Sequence, residues 1–354
     1  MNIGLIGAGN ISDTHARAAV SIPGVVVTAV CGRTADRAEK LGARHGAQAY
    51  TDLDRFLAHR PMDLVAIGTP SGMHAAQGIA AAQHGLHVLV EKPIDVTAAR
   101  ADALIRAARD NRVKLGVFFQ DRFAAGTRCL KSMIDTGRLG KPLLASARVK
   151  WFRPREYYSA SSWRGTWALD GGGALMNQGV HTVDLLLWLL GPVRRVSSRC
   201  VTAWHHIEVE DTALAWLEFE SGAVATLEAT TAAYPGYPRR VELTGTEGTA
   251  IIEGDRLVSV DLRSEPSPGA VSGTSPAPAE HQPGTSLAAA ESSSPVVADV
   301  SGHRAVIEDF IEAIAQDRRP CCDGAEGRRS VAVVEAVYES SRRGMPVDIP
   351  VSVG

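Results

Sequence analysis

The sequence lacks most of the devices that would set it apart from an ordinary enzyme. Its five cysteines, Cys31, Cys129, Cys200, Cys321 and Cys322, are odd in number and show no C-x-x-C spacing. A zinc ribbon and a disulfide framework are thereby excluded, no metal centre is expected, and a reducing cytoplasm is the expected setting. No excess of one charge is present. Against 39 acidic residues stand 37 Lys and Arg, for a net charge of −2, which gives no electrostatic footprint for nucleic acid or an acidic membrane surface. No apolar run reaches the ~18 residues of a membrane span. The chain opens directly on a strand-like run, without the basic segment of a signal peptide. Aromatic residues make up only 5%, so a local cluster of them carries information. What remains is 45% hydrophobic and 21% charged over 354 residues, enough for full cores and long enough for two domains.

The first third alternates in period. Ile3–Ile6, Val25–Cys31, Ala47–Tyr50, Leu64–Gly68, His87–Val90 and Lys114–Phe119 read as strands, and helical patterns separate them. Strands alternating with helices of ten or so residues imply right-handed crossovers and a parallel sheet covered on both faces. The first turn, Gly7-Ala8-Gly9, passes into a helix at Asn10 and Ile11. Strand, glycine turn and helix N-terminus in that order form a cradle for a dinucleotide pyrophosphate, although Ser12 replaces the third glycine of G-x-G-x-x-G. By itself the glycine turn is a weak signal; the alternating context strengthens it.

The second strand ends Cys31-Gly32-Arg33-Thr34, where an NAD site usually carries an acid. Arg33 can stack on adenine and pair with a 2′-phosphate, and Thr34 can donate to the same group, so NADP is favoured with NAD as the alternative. Ligands of an open parallel sheet sit at the carboxyl ends of its strands. The turns there, Thr69-Pro70 with His74, Glu91-Lys92-Pro93, and Gln120 with Arg122, are expected to line the cofactor, and Lys92 to meet both nicotinamide and substrate.

GAGNIS, then TPSGMH (69–74), EKP (91–93) and GGGALMNQGVHTVD (171–184), in that order, resemble the Gfo/Idh/MocA oxidoreductases over most of the chain. The resemblance implies a Rossmann domain, drawn at 1–122, and a substrate-binding and oligomerisation domain with a large open mixed sheet, drawn at 123–354. It further implies NAD(P)-dependent hydride transfer on sugars, nucleotide sugars or cyclitols, and a homodimer or homotetramer built through the second sheet. Two alternatives stay open: a glycoside hydrolase or lyase that uses a tightly bound NAD for transient oxidation, and a non-catalytic ligand sensor.

Between Trp151 and Trp167 lie Arg153, Arg155, Tyr157, Tyr158, Trp163 and Arg164. Aromatic faces suit sugar rings and arginines suit carboxylate or phosphate, so Arg153, Tyr157 and Tyr158 are candidates for substrate contact. Packing aromatics with solvated arginines remain the alternative for each residue. The resemblance assigns Trp163 and Arg164 to the cofactor and points toward nucleotide-sugar 3-dehydrogenases. A helix follows from about Gly173 to Leu190. On it Asn177, His181 and Asp184 stand at i, i+4 and i+7 and are expected to share a face toward the substrate. His181 is the expected general base, with Lys92 stabilising charge on the reacting oxygen. Many family members carry an acid at the position of Asn177, and an amide cannot share a proton as an acid does. Strands fill 196–260. Residues 264–300, rich in Ser, Pro and Ala and without an aromatic, are expected to form a long mobile excursion before the closing helices.

Overall fold

The computed structural model describes residues 1–263 and 299–350. The expected excursion at 264–300 lies almost wholly outside the described residues. The first half is a six-stranded parallel sheet of order β3-β2-β1-β4-β5-β6. Its strands are β1 (Asn2–Ile6), β2 (Val26–Cys31), β3 (Gln48–Tyr50), β4 (Leu64–Ile67), β5 (His87–Val90) and β6 (Leu115–Val117). Strands β1, β4 and β5 are apolar and buried because helices cover both faces. Strand order reverses between β1 and β4, which opens a crevice at their carboxyl ends.

Ladder bonds align that edge. Gly7 N–H donates to Cys31 O at 2.8 Å, Gly68 N–H to Ile6 O at 2.8 Å, Glu91 N–H to Ile67 O at 2.9 Å, and Phe118 N–H to Val90 O at 2.9 Å. Each turn therefore leaves the sheet at the same level, and residues far apart in sequence end side by side.

The second half is an eight-stranded sheet of order β13-β12-β11-β7-β10-β9-β8-β14. Its strands are β7 (Pro142–Lys150), β8 (Val193–Val201), β9 (Thr212–Phe219), β10 (Val224–Thr230), β11 (Arg240–Gly245), β12 (Gly248–Glu253), β13 (Arg256–Leu262) and β14 (Val347–Asp348). Neighbours are antiparallel except β7 and β10, which run parallel. The helices Val180–Leu190 and Gly324–Arg343 pack on this sheet. Alternate residues of β9 point the other way, leaving Leu214 and Trp216 exposed. The closing helices also reach back: Ser301–Ala315 packs on the first helix, α1 (Asn10–Val20), and Val117 N–H donates to Cys322 O at 2.8 Å. Among the described residues no helix is long and apolar enough to cross a membrane.

Candidate active site

Gly7 has φ +118°, and a Cβ there would meet Gly68 O at 2.6 Å and Ser12 Oγ at 2.8 Å. Only glycine fits that turn. A Cβ on Gly9 would meet nothing within 4 Å. Gly9 caps α1 without a side-chain bond, so the first N–H groups of α1 look into open space beside Asn10, with Ile11 half-buried behind. The second helix of this sheet, α2 (Ala35–His45), begins at Thr34, whose side chain makes no capping bond. Arg33 and Thr34 are both exposed at the end of β2. Two helix N-termini with free donors and an adjacent guanidinium suit a phosphate-bearing dinucleotide.

Several residues expected to touch the cofactor are spent within the protein. The His74 ring bridges two loops, with Nδ1 2.8 Å from Pro93 O and Nε2 2.9 Å from Thr69 O. Thr69 Oγ1 donates to Gln77 Oε1 at 2.6 Å, and Pro70 leads the turn that follows. Glu91 is buried, its Oε1 2.9 Å from His15 Nε2 and 3.7 Å from His303 Nε2. Burial opposes its ionisation, but the two histidines hold its carboxyl well below the usual range. Its other oxygen accepts the Lys92 N–H at 3.1 Å. Glu91 thus fixes the turn that carries Lys92. Gln120 remains half-buried at the start of the turn after β6.

The Lys92 ammonium donates to the backbone carbonyl of Asn177 at 2.8 Å. Burial lowers the Lys92 pKa, opposed by Glu91, Asp170 and Asp121. Residues Ala174–Gly179 form a π-helical segment, and the regular helix begins only at Val180. The segment is anchored from below by Glu210, whose carboxylate accepts the N–H groups of Gly173 at 2.9 Å and Leu175 at 2.8 Å and the Tyr338 hydroxyl at 2.9 Å. Burial pushes Glu210 up to about 7 against these bonds. A Cβ on Gly173 would meet Glu210 O at 1.7 Å, so the glycine run is the condition for this anchor.

The expectation of one shared face is corrected: the three side chains take different partners, and the wide turn shifts Asn177 in phase against the regular helix that carries His181 and Asp184. Asn177 turns to Asp170, donating to its Oδ1 at 2.6 Å. His181 lies near Asp121, Nδ1 to Oδ2 3.7 Å, and meets Phe119 edge-on at 5.8 Å between ring centres. Burial lowers His181 to about 4, with Asp121 and Glu91 pulling up and Lys92 and Arg239 pushing down. Asp184 does not face the substrate. Both its oxygens are taken by Arg122, Nε to Oδ2 at 2.7 Å and Nη2 to Oδ1 at 2.5 Å, in full burial.

The aromatic and basic segment splits in the same way. Tyr158 is largely buried with its hydroxyl 3.1 Å from Thr231 Oγ1, and it lines the cleft described below. Tyr157 receives a bond from Gln178 Nε2 at 3.3 Å and carries the Arg164 guanidinium 4.4 Å from its ring centre. Trp163 lies on the same guanidinium at 5.3 Å. Arg153 is buried between Trp151 and Tyr157, at 5.2 Å and 5.4 Å. Gly72 N–H donates to Leu169 O at 2.9 Å, so this segment hangs over the nucleotide-side turn. A cleft of about 810 Å³ beside it is lined by Arg155, Arg164 and His206 among others. Asp121, Asp170, Glu210 and Arg239 escaped sequence reasoning; the one available signal was that acids and arginines sat beside recognised motifs.

Comparison with known proteins identifies the family and the fold. Residues 1–119 match the model of the oxidoreductase family with an NAD-binding Rossmann fold, and 127–251 match the GFO/IDH/MocA C-terminal domain. A UDP-N-acetylglucosamine 3-dehydrogenase of Acidithiobacillus ferrooxidans is 30% identical over 94% of both chains. A scyllo-inositol 2-dehydrogenase (NAD(+)) of Bacillus subtilis is 27% identical over 98% of this chain and 96% of the relative. The structure of the WlbA dehydrogenase from Bordetella pertussis with NADH and UDP-GlcNAcA superposes with a TM-score of 0.85 at 30% identity, covering 99% of both chains. The chain belongs to the Gfo/Idh/MocA family of oxidoreductases, with an NAD-binding Rossmann domain and relatives that are sugar and nucleotide-sugar dehydrogenases.

Proposed function

We propose that this protein oxidises a CH–OH group of an anionic sugar, most simply a nucleotide sugar, with a nicotinamide dinucleotide. The observation that carries this reading is that Lys92, bonded to the carbonyl of Asn177 one helical turn before His181, lies close enough to bear on the charge of the buried His181 ring. The dinucleotide, when bound, supplies the hydride acceptor or donor. Gly7, Gly9 and Asn10 would hold its pyrophosphate. His181 accepts the hydroxyl proton, Lys92 donates a hydrogen bond to the same oxygen, and Asn177, held by Asp170, orients the sugar. Arg153 and Arg164, with Tyr157 and Trp163, offer guanidinium and ring faces to the anionic part. The solved relative with NADH and UDP-GlcNAcA and the 3-dehydrogenase relative favour this substrate class. A panel of UDP-N-acetylglucosamine, its uronate, inositols and levoglucosan tests it. The highest kcat/KM is expected with a UDP-sugar. A neutral cyclitol as best substrate overturns the anionic assignment, and reduced cofactor that never accumulates favours transient oxidation instead.

NADP is favoured over NAD because Arg33 and the uncapped Thr34 stand at the adenosine end and no acid sits at the tip of β2, the next one, Asp36, lying within the following helix. The solved relatives with NADH keep NAD as the competing cofactor. Arg33→Ala is expected to weaken NADP at least ~10-fold, the loss of one charge-assisted pair, and to leave NAD within about twofold. Tighter binding of NAD by the unaltered protein contradicts this preference.

The open face of the second sheet, with Leu214 and Trp216 outward, suits pairing of identical chains in a homodimer or homotetramer. Trp216→Glu is expected to yield monomers by light scattering with the fold retained. An unchanged mass removes this face from the assembly.

A further inference from the structure

The position one helical turn before His181 holds Asn177, whose amide faces Asp170. His181 therefore takes no orienting acid from its own helix. Among the described residues its Nδ1 is buried without a hydrogen-bond partner. Asp121 Oδ2 is 3.7 Å away, on the turn after β6. Arg239, from the strand edge of the other domain, grips the same carboxylate and is itself tied to Gly254 O at 3.1 Å. The charged groups acting on the ring are Asp121, Glu91, Lys92 and Arg239. Asp121 is held ionised: burial opposes its charge, and Arg239, His181 and Lys92 outweigh burial.

We propose that Asp121 is the positioning residue of the His181 base, accepting a hydrogen bond from Nδ1–H so that Nε2 is left bare toward the substrate hydroxyl. At 3.7 Å the bond is not closed, and a small rotation of the ring closes it, as hydrogen bonds of a base tighten when ligand binds. During oxidation the hydroxyl proton passes to Nε2, Nδ1 keeps its own, and the carboxylate stays ionised beside the imidazolium. The hydride leaves for the nicotinamide. Arg239 holds the Asp121 carboxylate in place, so that it can accept the Nδ1–H bond from a fixed direction.

This inference rests on the reading of His181 as base, and two measurements separate them. With ¹⁵N-histidine, the His181 signal is assigned by difference with His181→Gln and read in the NAD(P)-bound protein. The Nδ1–H tautomer is expected in the unaltered chain. In Asp121→Asn, an amide N–H facing Nδ1 is expected to shift the population to Nε2–H and to lower kcat at least ~10²-fold, the wrong tautomer having no lone pair for the substrate. KM, measured with UDP-N-acetylglucosamine, is expected to stay within about threefold. The double variant Asp121→Asn with Arg239→Gln removes the guanidinium that has lost its Asp121 partner and is expected to show the same tautomer and kcat as Asp121→Asn alone, so loss of fold is not mistaken for loss of orientation. An Nε2–H tautomer in the unaltered protein overturns the proposal, as does full kcat in either variant. If His181→Ala itself retains turnover, the base assignment fails, whatever Asp121 does.

Discussion

Lys92→Met and His181→Ala are each expected to lower turnover at least ~10²-fold, the scale of a positioned acid–base group. The two residues sit on different elements, one on the turn after β5 and the other two residues past the π-helical segment. The Lys92 bond to Asn177 O holds the ammonium against the segment that leads into His181. Methionine keeps the volume and removes the charge, so a loss in the Lys92 variant reports stabilisation of the reacting oxygen. Alanine at 181 removes the proton acceptor. The pH profile carries the second half of this expectation. Burial is the main cause that lowers His181 to about 4; a lowered histidine pKa keeps the base neutral, and competent, well below pH 6. The acid limb of kcat/KM for oxidation is therefore expected near pH 4–5, and a limb near 6.5 contradicts the buried site. Unchanged rates in a folded variant remove that residue from the mechanism.

Asp184→Ala is expected to destabilise the protein by about 3–5 kcal/mol, the cost of orphaning a buried ion-pair partner. Arg122 comes from the turn after β6, Asp184 from the buried helix, and Glu326, 2.7 Å from Arg122 Nη2, from the closing helix. Arg122 also donates to Cys321 O at 3.1 Å and lies 5.5 Å from the Trp188 ring centre. One guanidinium thus ties both halves of the chain together behind the active site. The double variant Arg122→Met with Asp184→Leu is expected to recover much of the loss, because apolar groups of similar size replace a pair at little net cost. Urea unfolding measures both. KM is expected to hold in any folded fraction, which separates this role from a substrate contact. A loss under about 1 kcal/mol contradicts the buried pair.

The nucleotide half was legible because its signals are local. Short strands of three to six residues, glycine at the first turn and helical spacing between them all agree on one parallel sheet. EKP was legible as a turn at a strand end, and the structure puts it there. The second half resisted in particular places. β7 mixes Arg148, Lys150 and alanines, and β13 alternates polar residues with exposed Val258 and Val260, because one face of this open sheet is not covered by the described residues. The spacing of Asn177, His181 and Asp184 misled because the π turn that carries Asn177 is invisible to periodicity, and because the buried partners of His181 and Asp184 come from another segment, Asp121 and Arg122. Buried charge partners were the other blind spot. Nothing local marks Glu326 as the partner of Arg122, 204 positions away, or Arg239 as that of Asp121, 118 positions away. Chemistry on motifs could be read from the chain; the groups that hold that chemistry in place are set by tertiary packing.

The most direct test of hydride transfer at the Lys92–His181 pocket follows one deuterium. UDP-N-acetylglucosamine labelled at C3 is incubated with the protein and oxidised NAD or NADP, and the nicotinamide is recovered and analysed. Deuterium on the nicotinamide ring, appearing with the unaltered chain and suppressed at least ~10²-fold in Lys92→Met and His181→Ala, is the predicted result. A sugar oxidised without label reaching the cofactor, or label transferred at full rate by both variants, contradicts the assignment.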